Sequence, residues 1–193
     1  MTGVQTCALP ISKGRTLKVP ANVTRPTSDR VREAVFSSLE HRLGSLQGLC
    51  VYDLYAGSGA FGLEAISRGA TTAVLVERDR KAVDIIRQNV KTTGLPATVV
   101  AADVAQFVQR PPVPAPDVVF VDPPYDLPAA TVRDQLTVLL RQLSDKQILL
   151  VVERSARDPE SAVPDGCSDI DARTVGDTSI TYAHWYGYRH DDA

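Results

Sequence analysis

Val51-Tyr52-Asp53-Leu54, followed by Tyr55-Ala56-Gly57-Ser58-Gly59-Ala60-Phe61-Gly62, reads as a strand that turns sharply into a helix. Glycine lacks a Cβ, so it allows the positive φ and close backbone approach that such a turn demands. Gly57-x-Gly59-x-x-Gly62 fits the dinucleotide-binding pattern, which is weak when it stands alone. Asp53, four residues before Gly57, adds a carboxylate toward the carboxyl end of the strand. Open α/β sheets bind their ligands at that edge.

The pattern continues outward on both sides. Residues 29–43 read as a helix with Val31, Ala34, Val35 and Leu39 on one face and Thr27 or Ser28 as its N-cap. The helix after the glycine turn stops at Gly69, placed to cap its C-terminus. Ala73-Val74-Leu75-Val76-Glu77 reads as the next strand and ends in a carboxylate about 20 residues past the turn, where an acid holds ribose hydroxyls in such folds. Asp79 suits the start of a helix over 80–92 that stops near Gly94. Residues 97–101 read as a strand followed by Asp103, 104–108 as a short helix and 111–116 as a proline-rich loop. A helix over 131–143 and a strand over 147–152 follow, then a hairpin of 170–175 and 179–186 across Gly176-Asp177. Alternating strands and helices with a terminal hairpin predict one α/β, Rossmann-like domain. Its sheet is expected to be seven-stranded and mixed, with helices on both faces and a C-terminal antiparallel hairpin.

The second informative stretch is Val118-Val119-Phe120-Val121 followed by Asp122-Pro123-Pro124-Tyr125. A short β-branched run closed by prolines reads as a buried parallel strand, so the four residues after it sit at the same edge of the sheet. Their chemistry suits methylation of an exocyclic amine on a nucleobase, a poor nucleophile because its lone pair is delocalised into the ring. Asp122 can accept one amine hydrogen, and the Pro123 carbonyl the other. Tyr125 offers a flat face for an extruded base. Pro123 and Pro124 stiffen the backbone, so less entropy is lost when the site forms. The plain alternative is a strand end closed by a Pro-Pro turn.

Taken together these stretches resemble the RsmD-type enzymes, which methylate the N2 amine of a guanine in bacterial 16S ribosomal RNA. The resemblance runs from about residue 13 to 186. It rests on Arg25-Pro26-Thr27-Ser28-Asp29-Arg30-Val31-Arg32-Glu33-Ala34-Val35-Phe36, on Asp53 to Gly59, and on Glu64-Ala65-Ile66-Ser67-Arg68-Gly69-Ala70. Val76-Glu77, Asp122 to Tyr125, Val152-Glu153 and Gly176-Asp177-Thr178 continue it. It implies a class I methyltransferase fold with S-adenosylmethionine as cofactor, held by Asp53, Tyr55, Ala56, Gly57, Ser58, Gly59, Glu77 and Asp103. Asp103 would contact the adenine amino group, its alternative being a helix N-cap. Asp122, Pro123, Pro124 and Tyr125 would form the catalytic segment, and 16S ribosomal RNA of the small subunit or its precursor would be the partner. The glycine loop and Asp-Pro-Pro-Tyr are also shared with DNA adenine-N6 methyltransferases.

Composition bounds the rest. The chain has 193 residues, 44% hydrophobic and 23% charged, which suits one globular domain. No apolar run reaches the ~18 residues of a transmembrane helix. Cys7, Cys50 and Cys167 lack metal-ligand spacing, so a reduced cytoplasmic protein without a metal site is expected; a monomer is expected as well. The formal net charge of −2 is low for an RNA binder, but Lys13, Arg15, Lys18, Arg25, Arg30 and Arg32 cluster against the single acid Asp29. They read either as phosphate contacts or as a solvated stretch. Residues 1–12 read as a non-native leader, since residues 3–12 look like a translated sequencing adapter. Residues 13–28 are then a basic segment, 29–188 the methyltransferase domain and 189–193 a tail. Glu153 and Arg154 either border the site or form a surface pair, and Trp185, Tyr186 and Tyr188 read as sheet packing. Three rivals remain: the DNA adenine-N6 enzyme, a nicotinamide dehydrogenase, which leaves Asp122 to Tyr125 unexplained, and a non-catalytic RNA-binding assembly factor.

Overall fold

Valine-rich runs with charges only near their carboxyl ends build the centre of the sheet. The computed structural model describes residues 5–8, 16–19, 29–143, 145–158 and 160–187. In chain order these form β1 (Gln5–Ala8), β2 (Thr16–Val19), α1 (Asp29–Leu43), β3 (Cys50–Leu54), α2 (Ala60–Ser67), β4 (Thr72–Glu77) and α3 (Arg80–Thr93). There follow β5 (Ala97–Ala101), α4 (Val104–Phe107), β6 (Val118–Val121), α5 (Ala129–Gln142), β7 (Ile148–Ser155), β8 (Ser168–Val175) and β9 (Thr178–Trp185).

Seven strands lie in the order β5-β4-β3-β6-β7-β9-β8. The first five are parallel, and β9 pairs antiparallel with both β7 and β8. Strand order reverses between β3 and β6, where Leu54 faces Val121. Successive strand residues serve opposite faces. Val51, Leu75 and Phe120 pack with α1, α2 and α3, while Tyr52, Val76 and Val119 pack with α4 and α5. Each fully buried Val or Leu contributes roughly 1.5–3 kcal/mol.

Local signals set the helix ends. The Asp79 carboxylate accepts the Ala82 N–H at 2.9 Å and so caps α3, and Gly94, at φ 67°, closes it. At the sheet edge away from the glycine loop, the Asp117 carboxylate accepts the Cys50 N–H at 2.8 Å and meets Lys146 Nζ at 2.7 Å. Its carbonyl accepts from Leu149, so one residue ties the starts of β3, β6 and β7.

The expected boundaries hold to within a few residues, with one informative shift. β7 runs on through Glu153 and Arg154 to Ser155, because β9 pairs with it from Ile148↔Trp185 to Ser155↔Thr178. Glu153 is therefore a buried strand residue, and Arg154 pairs with Asp158. Trp185 packs into the core as expected, and Tyr186 is partly exposed with its hydroxyl bonded to Asp169 at 2.6 Å. Residues 5–8 of the expected leader form β1, paired with β2. Thr27, Ser28, Tyr188 and the tail 189–193 lie outside the described residues. No helix among the described residues is long and apolar enough to cross a membrane.

Candidate active site

The glycine turn is shaped by carboxylates that fold back onto its own backbone. Asp53 Oδ2 accepts the Gly62 N–H at 2.9 Å, holding the first turn of α2 against β3. Glu77 Oε2 accepts the Gly57 N–H at 2.9 Å, and its Oε1 accepts the Asp79 N–H at 2.8 Å. Ala56 donates to the Val76 carbonyl at 2.9 Å, and Gly59 donates to the Ala56 carbonyl at 2.6 Å. Gly57 and Gly59 sit at φ 55° and 78°, where a side chain is strained. Gly62 is required for a different reason: a Cβ there would lie 2.2 Å from Leu75 Cδ2.

Tyr55 adopts φ 64° without being glycine, a strained conformation of the kind that gathers at functional sites. Its hydroxyl donates to Gln135 on α5, which pins the ring across the sheet edge. Burial pushes the phenol up to about 12. Burial also raises the Asp53 carboxyl well above the usual range; the Gly62 N–H opposes this, while the Asp122 and Glu77 charges add to it.

These groups open onto a cavity of about 610 Å³ at the carboxyl edge of β3, β4 and β6, within the size range of small-molecule sites. Its walls include Asp53, Tyr55, Ala56, Gly57, Ser58 and Glu77 on one side. Asp122, Pro123, Pro124 and Tyr125 form the other side, and Asp103 stands at the same rim. Gly59 backs the loop without lining the cavity, its Cβ position facing Leu75 and Ile86. Asp103 is also the N-cap of α4, accepting the Ala105 N–H at 2.8 Å, so the capping alternative is realised while the carboxylate keeps its place at the cavity. Pro123 is buried and Pro124 exposed, and Tyr125 is 51% exposed, which leaves an aromatic face at the mouth. Under the mouth, the Phe61 and Phe120 rings stack at 5.1 Å, with Phe36 tilted against Phe120 at 5.7 Å.

The basic segment divides. Lys13, Arg15 and Arg25 lie outside the described residues. Lys18 and Arg30 are exposed. Arg32 departs from its expected role as a phosphate contact. Its side chain is 2% exposed, and its Nε lies 2.5 Å from Glu64. A guanidinium there can leave water because carboxylates meet it, Glu64 at Nε and Asp29 at Nη2 (2.8 Å). The spacing carried the signal, since 32, 35, 36 and 39 share one helical face with Val35, Phe36 and Leu39.

Two further residues escape the sequence reading. Val19, at the end of β2, lines the cavity. Asn89, on the apolar face of α3, bonds to both β2 and the glycine turn. A polar amide in line with Val83 and Ile86 was the available sign.

A sequence profile of the family described as Conserved hypothetical protein 95 matches residues 11–184. The chain is 34% identical over 185 residues to the candidate rRNA methyltransferase YlbH of Bacillus subtilis, covering 91% of this chain and 90% of that protein. It is 30% identical over 169 residues to ribosomal RNA small subunit methyltransferase D of Haemophilus influenzae, covering 85% of each. The solved structure of YhhF from Escherichia coli superposes with a TM-score of 0.74 at 29% identity, over 95% of this chain and 100% of that one.

Proposed function

We propose a reaction for this chain, which belongs to the family described as Conserved hypothetical protein 95, the RsmD-type methyltransferases. The reaction is transfer of a methyl group from S-adenosylmethionine to the exocyclic N2 amine of a guanine in 16S ribosomal RNA. The carrying observation is that the glycine turn and Asp122 to Tyr125 leave adjacent hydrogen-bonded strands and face one cavity.

The donor set fits such a cofactor. Both Glu77 oxygens already accept a backbone N–H, which fixes the carboxylate while leaving lone pairs for ribose hydroxyls. Asp103 stands at the rim for an adenine amine, and the Gly57-Ser58 backbone can approach a ligand with no side chain from Gly57 in the way. S-adenosylmethionine supplies an electrophilic methyl group. Asp122 and the Pro123 carbonyl accept the amine hydrogens and draw the nitrogen lone pair out of conjugation. Tyr125 stacks the extruded base, and the Phe61 ring, backed by Phe120, keeps that wall of the cavity dry. Most of the acceleration then comes from positioning and desolvation. The displaced proton passes to Asp122 or to water.

The test is methyl transfer from labelled S-adenosylmethionine to unmethylated small subunits, naked 16S RNA and duplex DNA, with the product nucleoside identified by mass spectrometry. N2-methylguanosine from a ribosomal substrate supports the reading and separates particle from free RNA. N6-methyladenine in DNA moves the chain to the rival chemistry. Asp122→Ala is expected to lower transfer by about 10²–10³ or more while cofactor affinity stays within a few-fold. Loss of cofactor binding in that variant contradicts the role assigned to Asp122.

A further inference from the structure

Asn89 spends its amide on two segments far apart in the chain. Its Oδ1 accepts the Lys18 N–H at 2.8 Å, and its Nδ2 donates to the Lys18 carbonyl at 2.8 Å. The second Nδ2 hydrogen goes to the Ser58 carbonyl at 3.0 Å. Both donors and one acceptor position are thus in use on a side chain that is 2% exposed.

The geometry has two consequences. Toward β2, the amide pairs with both backbone groups of Lys18 as a neighbouring peptide unit would. That docking seats Leu17 in the core, at 0% exposure, and turns Val19 into the cavity wall. Lys18 Nζ meets Gln88 Oε1 at 3.2 Å, a second link between β2 and α3. Toward the glycine turn, the same amide fixes the Ser58 carbonyl, one residue after the Gly57 N–H that Glu77 holds. The basic strand and the turn are therefore not independent. Undocking β2 leaves two of the three amide hydrogen bonds unmet, so the Asn89 side chain that holds the Ser58 carbonyl is no longer fixed from its other end.

We propose that Asn89 is a positioning residue that locks the basic N-terminal strand to the cofactor turn, so that RNA and cofactor raise each other's affinity. The two ligands are those of the function proposed above. RNA gripping Lys18 and its basic neighbours favours the docked strand, and the docked strand holds the turn and Val19 in their cavity positions. Linkage makes the effect reciprocal: cofactor that orders the turn must also tighten the strand.

The experiment uses the full chain, S-adenosylhomocysteine and naked 16S RNA. Hydrogen exchange at the Lys18 and Val19 amides is compared with and without S-adenosylhomocysteine. RNA affinity is measured in the same two states. In the wild type, saturating S-adenosylhomocysteine is expected to slow exchange at Lys18 and to tighten RNA binding by about fivefold or more, the lower end of usual couplings. In Asn89→Leu, which keeps the volume but removes all three bonds, the coupling is expected to shrink to less than about twofold. If S-adenosylhomocysteine binds and neither Lys18 exchange nor RNA affinity in the wild type changes, the coupling is wrong while the functional reading stands. Coupling undiminished in a folded Asn89→Leu assigns it to another residue and overturns the role of Asn89. Failure of S-adenosylhomocysteine to bind the wild type overturns both readings. The wild-type arm does not depend on the variant folding.

Discussion

Gly62 leaves no room for a single methyl group. A Cβ at this position would meet Leu75 Cδ2 at 2.2 Å and Asp53 Cβ at 3.4 Å, so α2 lies directly on β3 and β4. Gly62→Ala is expected to cost about 1–3 kcal/mol, the usual range for overpacking a tight core, measurable as a lower urea midpoint. The third glycine of the fingerprint was legible in the sequence, as was an acid at Asp53. The inward turn of that acid was not, because a sequence shows a carboxylate without showing which N–H it meets. Burial makes Asp53 a source of pH dependence. Its carboxyl titrates higher in the folded protein than in the unfolded chain. Native protein therefore holds a proton that the unfolded chain has released across the interval above the usual carboxylate pKa. Stability from this group is fully present below the unfolded value and falls as pH rises through the folded one. Asp53→Asn cannot ionise. Its melting temperature relative to wild type is expected to rise steadily across that interval, and a pH-independent difference between the two proteins would count against a buried titrating carboxyl.

At the scale of elements, α1 and α2 are joined through charge. Glu64 on α2 takes Arg32 from α1 at 2.5 Å and Arg68 from the turn after α2 at 2.6 Å, and Arg68 also meets Glu40 on α1 at 2.9 Å. Removing one partner strands the other in the core. Glu64→Gln is expected to lose about 3–5 kcal/mol in equilibrium unfolding. The double replacement Arg32→Met with Glu64→Leu is expected to recover only part of that loss, because it removes the buried Arg32 charge but still leaves Arg68 without its Glu64 partner. The apolar stripe of α1 was readable from periodicity, and so were its ends. The inward side of Arg32 was missed because a basic cluster near a helix start suggests phosphate before it suggests burial. The end of β7 was missed for another reason: its last residues are ordered by pairing with β9, a partner later in the chain.

For the whole molecule, alternation of strands and helices was enough to anticipate a parallel sheet with a terminal hairpin. The placement of β9 inside β8 was not stated by that pattern, although composition explains it. β9 carries Ile180, Tyr182 and Trp185 inward, whereas β8 bears Asp169, Asp171 and Arg173 and takes the edge, where charge discourages further strand pairing. Net charge of −2 limits how much RNA affinity can be electrostatic. With Arg32 engaged by Glu64 and Asp29, the proposed RNA contact would draw on Lys13, Arg15, Lys18, Arg25 and Arg30 as phosphate partners. Five contacts at roughly −0.7 each predict a slope of log affinity against log salt near −3.5. A slope near zero in filter-binding titrations of naked 16S RNA would remove this segment from the interface.

The pairing of Leu54 with Val121 places the two halves of the cavity on one continuous ladder. A gap set that way is a ruler: its width follows from the spacing of neighbouring strands, whichever way β2 sits at the wall. On the proposed reaction, prying a base from its stack costs a few kcal/mol, and the spacing of β3 and β6 is the gauge against which each arriving base is measured.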